Sequence, residues 1–300
     1  MKRVLTMLTA ALLLTSLCGC NAQSEPAQIA ATTLPVYEFT SRMCEGTGIT
    51  VTRLVTEQVS CLHDSSLNVR QVKAAEAAEL VVISGAGLEE FMEDILLDTN
   101  TTDASHGIVL ICPEEEGAEH DHEHEHAHDH EGHHHEEDPH IWLAPENAKI
   151  MAQNICDGLT AQYPSYKDTF AANLEGLISD LDALQAYGEE TLADLSCREL
   201  ITFHDGFAYF ADAFGLTILE AVEEESGSEA SAQELIHLIE EAEHHQLPAI
   251  FTEVSGSVSA ADVIARETGA SVYALDMAMA GDSYFDAMYH NIDPIKEALG

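Results

Sequence analysis

In 300 residues the chain carries 54 acidic side chains against 11 Lys and Arg, with 17 His besides, for a formal charge of −43. A surface so negative repels phosphate, which excludes nucleic acid as a partner and unaided binding to anionic lipid, and it favours cations instead. The length suffices for one large or two medium α/β domains with real cores.

The chain opens with Lys2 and Arg3 and an apolar run from Val4 to Leu17, too short for a comfortable membrane span. The run ends in Leu17-Cys18-Gly19-Cys20, which resembles a bacterial lipobox, so residues 1–20 are expected to be a lipoprotein signal peptide and Cys20 the lipidated first residue of the mature protein. Residues 21–28 have too little apolar content to pack and are expected to be a tether. Beyond them lie Cys44, Cys61, Cys112, Cys156 and Cys197, an odd number without CxxC spacing. An exported location permits a disulfide, the sequence does not choose the pair, and at least one thiol stays free.

From Ile29 onward, short apolar runs alternate with amphipathic segments, the βαβ signature of a parallel sheet covered by helices. Strands are expected at 29–33, 49–55, 80–84 and 107–111, and helices at 36–44, 66–78, 88–97 and, after a polar insertion at 114–138, at 145–162 with Pro145 in its first turn. Together they make a first lobe, 29–162. The apolar positions Tyr166, Phe170, Leu174, Leu177, Leu181, Leu184, Leu192 and Leu195 then mark a long helix in the segment 163–196. At 1.5 Å per residue such a helix spans about 40 Å, enough to run from one lobe to another. The alternation resumes over 197–300, with strands at 200–203, 217–222, 249–254 and 271–275 and helices at 206–214, 230–245, 259–268 and 284–299. The expected fold is therefore α/β: two βα lobes with parallel sheets, joined by a long backbone helix, with a ligand cleft between them at the carboxyl ends of the strands.

The histidines fall into two populations. His120, His122, His124, His126, His128, His130, His133, His134 and His135 are interleaved with Asp and Glu in a segment with no periodic apolar residue. Such a segment cannot build a core; it is expected to be a surface loop that binds several Zn²⁺, Cu²⁺ or Ni²⁺ ions weakly through neutral imidazole. His122–His126, His124–His128 and His130–His134 each satisfy H-E-x-x-H. Three such matches are what His/Glu composition alone produces, and a metalloprotease needs the motif on a rigid helix with a third ligand.

The isolated residues are more informative. His63 follows the second expected strand, His140 stands in Asp138-Pro139-His140-Ile141-Trp142-Leu143 beside the only tryptophan, His204 ends the strand Leu200–Phe203, and Asp276 closes the strand Ser271–Leu275. Each lies where a side chain enters the cleft, two from each lobe. Three imidazoles and a carboxylate are a four-ligand shell for Zn²⁺, and nitrogen-rich ligation favours Zn²⁺ over Mn²⁺.

At these residues the sequence resembles the metal-specific solute-binding proteins of ABC transporters, the ZnuA/TroA-type family, over nearly the whole mature chain. The resemblance is carried by Asp138-Pro139-His140-Ile141-Trp142-Leu143, by Phe203-His204-Asp205-Gly206-Phe207-Ala208-Tyr209-Phe210 and by Gly281-Asp282-Ser283-Tyr284-Phe285; the His-rich acidic loop before Asp138 is similar to the zinc branch. It implies metal ligands at His63, His140, His204 and Asp276, Zn²⁺ as the transported ion with Mn²⁺ and Cd²⁺ as competitors, and a membrane permease as partner to a lipid-anchored monomer. The context of His63, Cys61-Leu62-His63-Asp64-Ser65-Ser66, departs from the family, so that Asp64 or Cys61 is an alternative at that position. The Pro common after Asp276 is replaced by Met277-Ala278-Met279-Ala280. Glu253 and Asp205, near strand ends, are placed to orient a ligating imidazole. The rival readings are a manganese-selective receptor, a metal-buffering or adhesin lipoprotein in which the His loop is the whole function, and a zinc enzyme, which would need an open coordination position.

Overall fold

Two buried apolar runs, Ile29–Ala31 (β1) and Leu80–Ile83 (β3), pair in parallel, and the half-buried Val51–Arg53 (β2) adds in parallel to the outer side of β1, as strands joined by helical crossovers do. The computed structural model describes residues 27–56, 62, 66–112, 137–222, 231–254, 256 and 258–300. The expected signal peptide, Cys20, His63 with Cys61 and Asp64, and the nine loop histidines lie outside the described residues.

Between the strands run α1 (Leu34–Met43), with Pro35 in its first turn, and α2 (Val69–Ala77), whose Asn68 and Gln71 side chains close a capping box. Two sequence expectations fail here. The segment 88–97 is no continuous helix: a 3₁₀ turn, Glu90–Met92, leads into the single turn α3 (Glu93–Leu96), because Glu89 just before it is drawn into the ends of β1 and β3. The fourth strand is Thr101–Asp103 (β4), paired with β3, and not 107–111. Ile108, Leu110 and Ile111 are apolar because they pack on the core as irregular chain, and Ile111 N–H is satisfied by the Tyr209 hydroxyl at 2.9 Å rather than by a ladder.

The helix α4 (Pro145–Gln162) follows a 3₁₀ turn at Ile141–Leu143, and α5 (Lys167–Thr191) runs for 25 residues, about 38 Å. It is shorter at both ends than the sequence suggests; Leu192 caps it and Leu195 lies beyond. Its stripe of Phe170, Leu177, Leu181 and Leu184 is buried. The second half then alternates β5 (Glu199–Thr202), α6 (Ala208–Phe214), β6 (Thr217–Ala221), α7 (Ala232–His244), β7 (Ala249–Glu253), α8 (Ser259–Thr268), β8 (Ser271–Leu275) and α9 (Tyr284–Leu299). The helix α5 packs on α1 and α4 from the first half and on α9 from the second, and so backs both.

The two four-stranded sheets repeat one topology: β2-β1-β3-β4 and β6-β5-β7-β8, all parallel. In each, strand order reverses between the first and third strands of its own half, and the crevice at that reversal is where parallel sheets bind ligands. One apolar core joins the halves, with Phe39, Trp142 and Phe170 from one side and Phe210, Met279 and Tyr284 from the other. Smaller clusters cover the outer sides of the sheets, around Leu54, Val81 and Met92 and around Ile201, Ile250 and Ile264. Polar contacts also cross the seam: Leu34 N–H donates to Met279 O at 3.1 Å, Arg53 Nη1 to Gly281 O at 2.8 Å, and Tyr284 N–H to Glu38 Oε2 at 2.6 Å. Burial pushes the Glu38 carboxyl above the usual range, opposed by that bond from Tyr284 and by nearby Arg42. A continuous core and bonds of this kind make the seam stiff, so the long helix is not the only element resisting a hinge.

Cys44, Cys112, Cys156 and Cys197, the four cysteines among the described residues, are unbonded, and burial pushes the Cys44 thiol up to about 12. No helix of the described residues is long and apolar enough to cross a membrane.

Candidate metal centre

His140 belongs to the first half and His204 to the second, 64 positions apart, yet their Nε2 atoms lie 3.4 Å from each other at the seam. His140 is placed by the three residues after it. Ile141, Trp142 and Leu143 are fully buried, and Trp142 Nε1 donates to Met277 O at 2.7 Å, while Tyr284 Oη donates to Trp142 O at 2.8 Å. These bonds tie the 3₁₀ turn across the seam and hold the His140 ring edge-on to the Trp142 indole, 5.4 Å between centroids. His204 is placed by topology: β5 ends at Thr202, beside the strand reversal, and β7 ends at Glu253 next to it.

Each imidazole has a carboxylate behind it. Asp138 Oδ1 lies 2.7 Å from His140 Nδ1 and also accepts from the His140 backbone N–H at 2.9 Å. Glu253 Oε1 lies 3.1 Å from His204 Nδ1. Both carboxyl groups are buried, and so is the His140 ring. A carboxylate accepts, so His140 Nδ1 carries the proton and its Nε2 turns a lone pair toward His204, whereas Glu253 Oε1 lies close to His204 Nδ1 without the geometry of a hydrogen bond. At 3.4 Å the two Nε2 atoms can share a proton or a cation. With Zn–N bonds of about 2.0–2.1 Å at a tetrahedral angle, two ligating nitrogens stand about 3.3–3.4 Å apart. The separation in this protein, 3.4 Å, is that edge.

Asp276 follows β8 at the same seam, half-buried. Its backbone exchanges two bonds with the Asn291 amide, both 2.7 Å, and its Oδ1 accepts from Ala278 N–H at 2.8 Å. Ala278 is fully buried with φ +53°, a left-handed conformation that a residue other than glycine adopts at some cost. The tight turn takes the place of the missing Pro and turns Met277 inward. A methyl group on Gly206 would lie 2.7 Å from both His204 Cδ2 and Met277 Cε and 2.9 Å from His140 Nδ1, so the site closes over a position that only glycine fits.

Of the four ligands expected from sequence, His140 and His204 are brought together; Asp276 precedes Met277, whose Cε reaches Gly206 beside the pair, and His63 lies outside the described residues. Glu253 stands 3.1 Å from His204 Nδ1, near the strand end where the sequence places it, whereas in the sequence Asp138 stands out only as part of a motif. Its signal is its position two residues before His140, where a carboxylate can bond both the backbone and the ring. A cavity of about 590 Å³ lies elsewhere along the seam, lined by Tyr37, Arg53, Arg70, Gln71 and Asp282 and by none of the three ligand candidates. A dehydrated ion needs no such volume.

Residues 29–298 match the family model described as zinc-uptake complex component A periplasmic, ZnuA. The chain is 29% identical over 308 residues to the zinc-binding lipoprotein AdcA of Streptococcus pneumoniae serotype 4, covering 95% of this chain and 60% of AdcA, so it spans less than two thirds of that relative. It is 29% identical to the high-affinity zinc uptake system protein ZnuA of Bacillus subtilis strain 168, covering 98% and 97% of the two chains. A crystal structure of ZnuA superposes with a TM-score of 0.76 at 28% identity, covering 91% of this chain and 100% of that one.

Proposed function

The chain belongs to the zinc-uptake complex component A family, and on that premise we propose that it is an extracytoplasmic receptor that captures Zn²⁺ and delivers it to the permease of an ABC importer. The observation that carries this reading is the pair of Nε2 atoms 3.4 Å apart, with Asp138 hydrogen-bonded behind the His140 ring and the Glu253 carboxylate 3.1 Å behind the His204 ring. His140, His204 and Asp276 are ligands, His63 completes the shell, and Asp138 and Glu253 position the rings. The site then presents three carboxyl groups around its imidazoles, which favours a divalent cation before any bond forms. A closed shell of four protein ligands leaves no coordination position for a reacting water, which separates this carrier from a zinc enzyme.

The first lobe is residues 29–162, the linking helix lies within 163–196 and the second lobe is 197–300. A lipid on Cys20 tethers the monomer to the membrane through residues 21–28, and the loop 114–138, with nine histidines from His120 to His135, gathers ions weakly and passes them to the seam. Because one core spans both lobes, closure on the ion is small, and release requires the permease to separate the ligands.

Calorimetric titration with elemental analysis tests this. The full chain takes one Zn²⁺ tightly and further ions weakly; His140→Ala or His204→Ala removes the tight event, and deletion of residues 117–137 removes only the weak ones. If structural zinc binding of about 10–16 kcal/mol is shared by four ligands, each loss costs about 3–4 kcal/mol, roughly 10²–10³-fold in affinity. Should the loop deletion abolish all binding, the protein is a buffer and not a receptor.

A further inference from the structure

Away from the seam, Glu241, His244 and His245 place three ligand atoms within 4.8 Å of one another at the C-terminal end of α7. Their spacing of three and four residues brings them to one face of the last helical turn. The nearest of them is already oriented. His245 Nδ1 lies 2.9 Å from Glu199 Oε2, so in the neutral ring that carboxylate holds the Nδ1 proton and Nε2 presents its lone pair. That lone pair faces Glu241 Oε2 at 3.6 Å. His244 stands edge-on to His245 with 4.9 Å between ring centroids and supplies a third ligand atom.

The surroundings favour a cation. The carbonyl end of α7 carries the negative end of its dipole. Glu199 opens β5 whereas His204 follows it, so the group lies at the opposite end of that strand from the imidazole pair. Five residues at about 3.3 Å put the two sites roughly 17 Å apart, too far for a shared ligand.

We propose that Glu241, His244 and His245 form a second, surface site for a borderline divalent cation, Zn²⁺ first and Cu²⁺ or Ni²⁺ alike, with water in the fourth position. Two nitrogens and one carboxylate oxygen suit these ions and not Mg²⁺ or Ca²⁺, which take oxygen ligands. Binding is weaker than at the seam, since the site has one protein ligand fewer and His244 is exposed and must be ordered.

Diethylpyrocarbonate modification of the full chain, read histidine by histidine with peptide mass spectrometry across a ZnCl₂ series, tests the site. Modification of His244 and His245 should fall as Zn²⁺ rises, and Glu241→Gln should raise the Zn²⁺ concentration for half protection roughly tenfold or more. His140→Ala should leave that protection where it is, which keeps this result distinct from the fate of the seam site. Three outcomes overturn the proposal: equal modification with and without millimolar Zn²⁺, protection indifferent to Glu241→Gln, or protection lost in His140→Ala. The first is what an imidazolium bridging Glu199 and Glu241 would give.

Discussion

At the strand reversal of the first sheet, the crevice is filled by the protein itself. Thr32 Oγ1 donates to Glu89 Oε1 at 2.6 Å, Ser84 and Gly85 N–H groups donate to the same carboxylate at 2.8 and 3.0 Å, and the Thr33 and Ser84 hydroxyls bond each other at 2.9 Å, all buried. At the equivalent reversal of the second sheet, the carboxylate of Glu253 backs an imidazole that faces outward to the seam. The same strand order thus serves once as a sealed plug and once as half of the proposed site. Topology marks where a ligand can sit, and the side chain that follows the strand decides whether it does. The plug also explains why the first lobe contributes His140 from a long excursion after β4 rather than from its own reversal point.

The largest effect should come from the plug. Burial pushes Glu89 up to about 7, against hydrogen bonds from Thr32, Ser84 and Gly85 that favour the charge, while nearby Asp103 adds to the rise. Its folded value lies above the unfolded one, so between about pH 4.5 and pH 7 the folded protein keeps a proton that the unfolded chain has released. Stability therefore falls as pH rises through that window, by about 1.4 kcal/mol per unit and roughly 3 kcal/mol in all, and the loss is complete above it. Urea unfolding of metal-free protein at pH 4.5 and pH 8 should show Glu89→Gln flattening this slope while zinc affinity is unmoved. An altered affinity would mean that the plug is part of the site.

Glu253→Gln tests the opposite crevice. The amide keeps the shape of the side chain but removes the negative charge 3.1 Å from His204 Nδ1. Zinc affinity should drop about 10–100-fold by calorimetry, as for other carboxylates behind metal-bound imidazoles. An unchanged affinity would show that His204 is oriented by its backbone alone, and the contrast between the two carboxylates would disappear.

Much of this is legible without the fold. His204 directly follows an apolar run, and a polar ligand at the carboxyl end of a buried strand is a local pattern with a structural consequence. The helices 145–162 and 284–299 carry their own punctuation, Pro145 in one first turn and Ser283 capping the other, and the observed spans match. The fourth strand is not legible, because β4 reads Thr-Thr-Asp with no apolar residue, while the apolar run behind it is buried as irregular chain. In the sequence, a pattern of burial looks the same as a pattern of pairing. The distance between His140 and His204 is beyond any local signal, since it depends on Trp142, Met277 and Tyr284 drawing together segments more than 130 residues apart. Asp138 escapes for a different reason: its partner is two residues away, but only the ring's direction shows that the carboxylate lies behind it.

Ser84→Ala should have the smallest effect and probes the plug without touching its charge. The Ser84 backbone N–H still donates to Glu89, so only the hydroxyl pair with Thr33 is lost. The Thr33 hydroxyl then loses its Ser84 partner in a fully buried position, which costs about 1–3 kcal/mol before any relaxation and nearer 1 kcal/mol if it finds a neighbouring acceptor. Chemical denaturation should report that loss with the same slope against denaturant, and calorimetry should return the affinity of the parent protein. Were zinc binding to weaken along with stability, the two crevices would be coupled through the core they share, and the first lobe's plug would have to be counted among the elements that hold His140 in place.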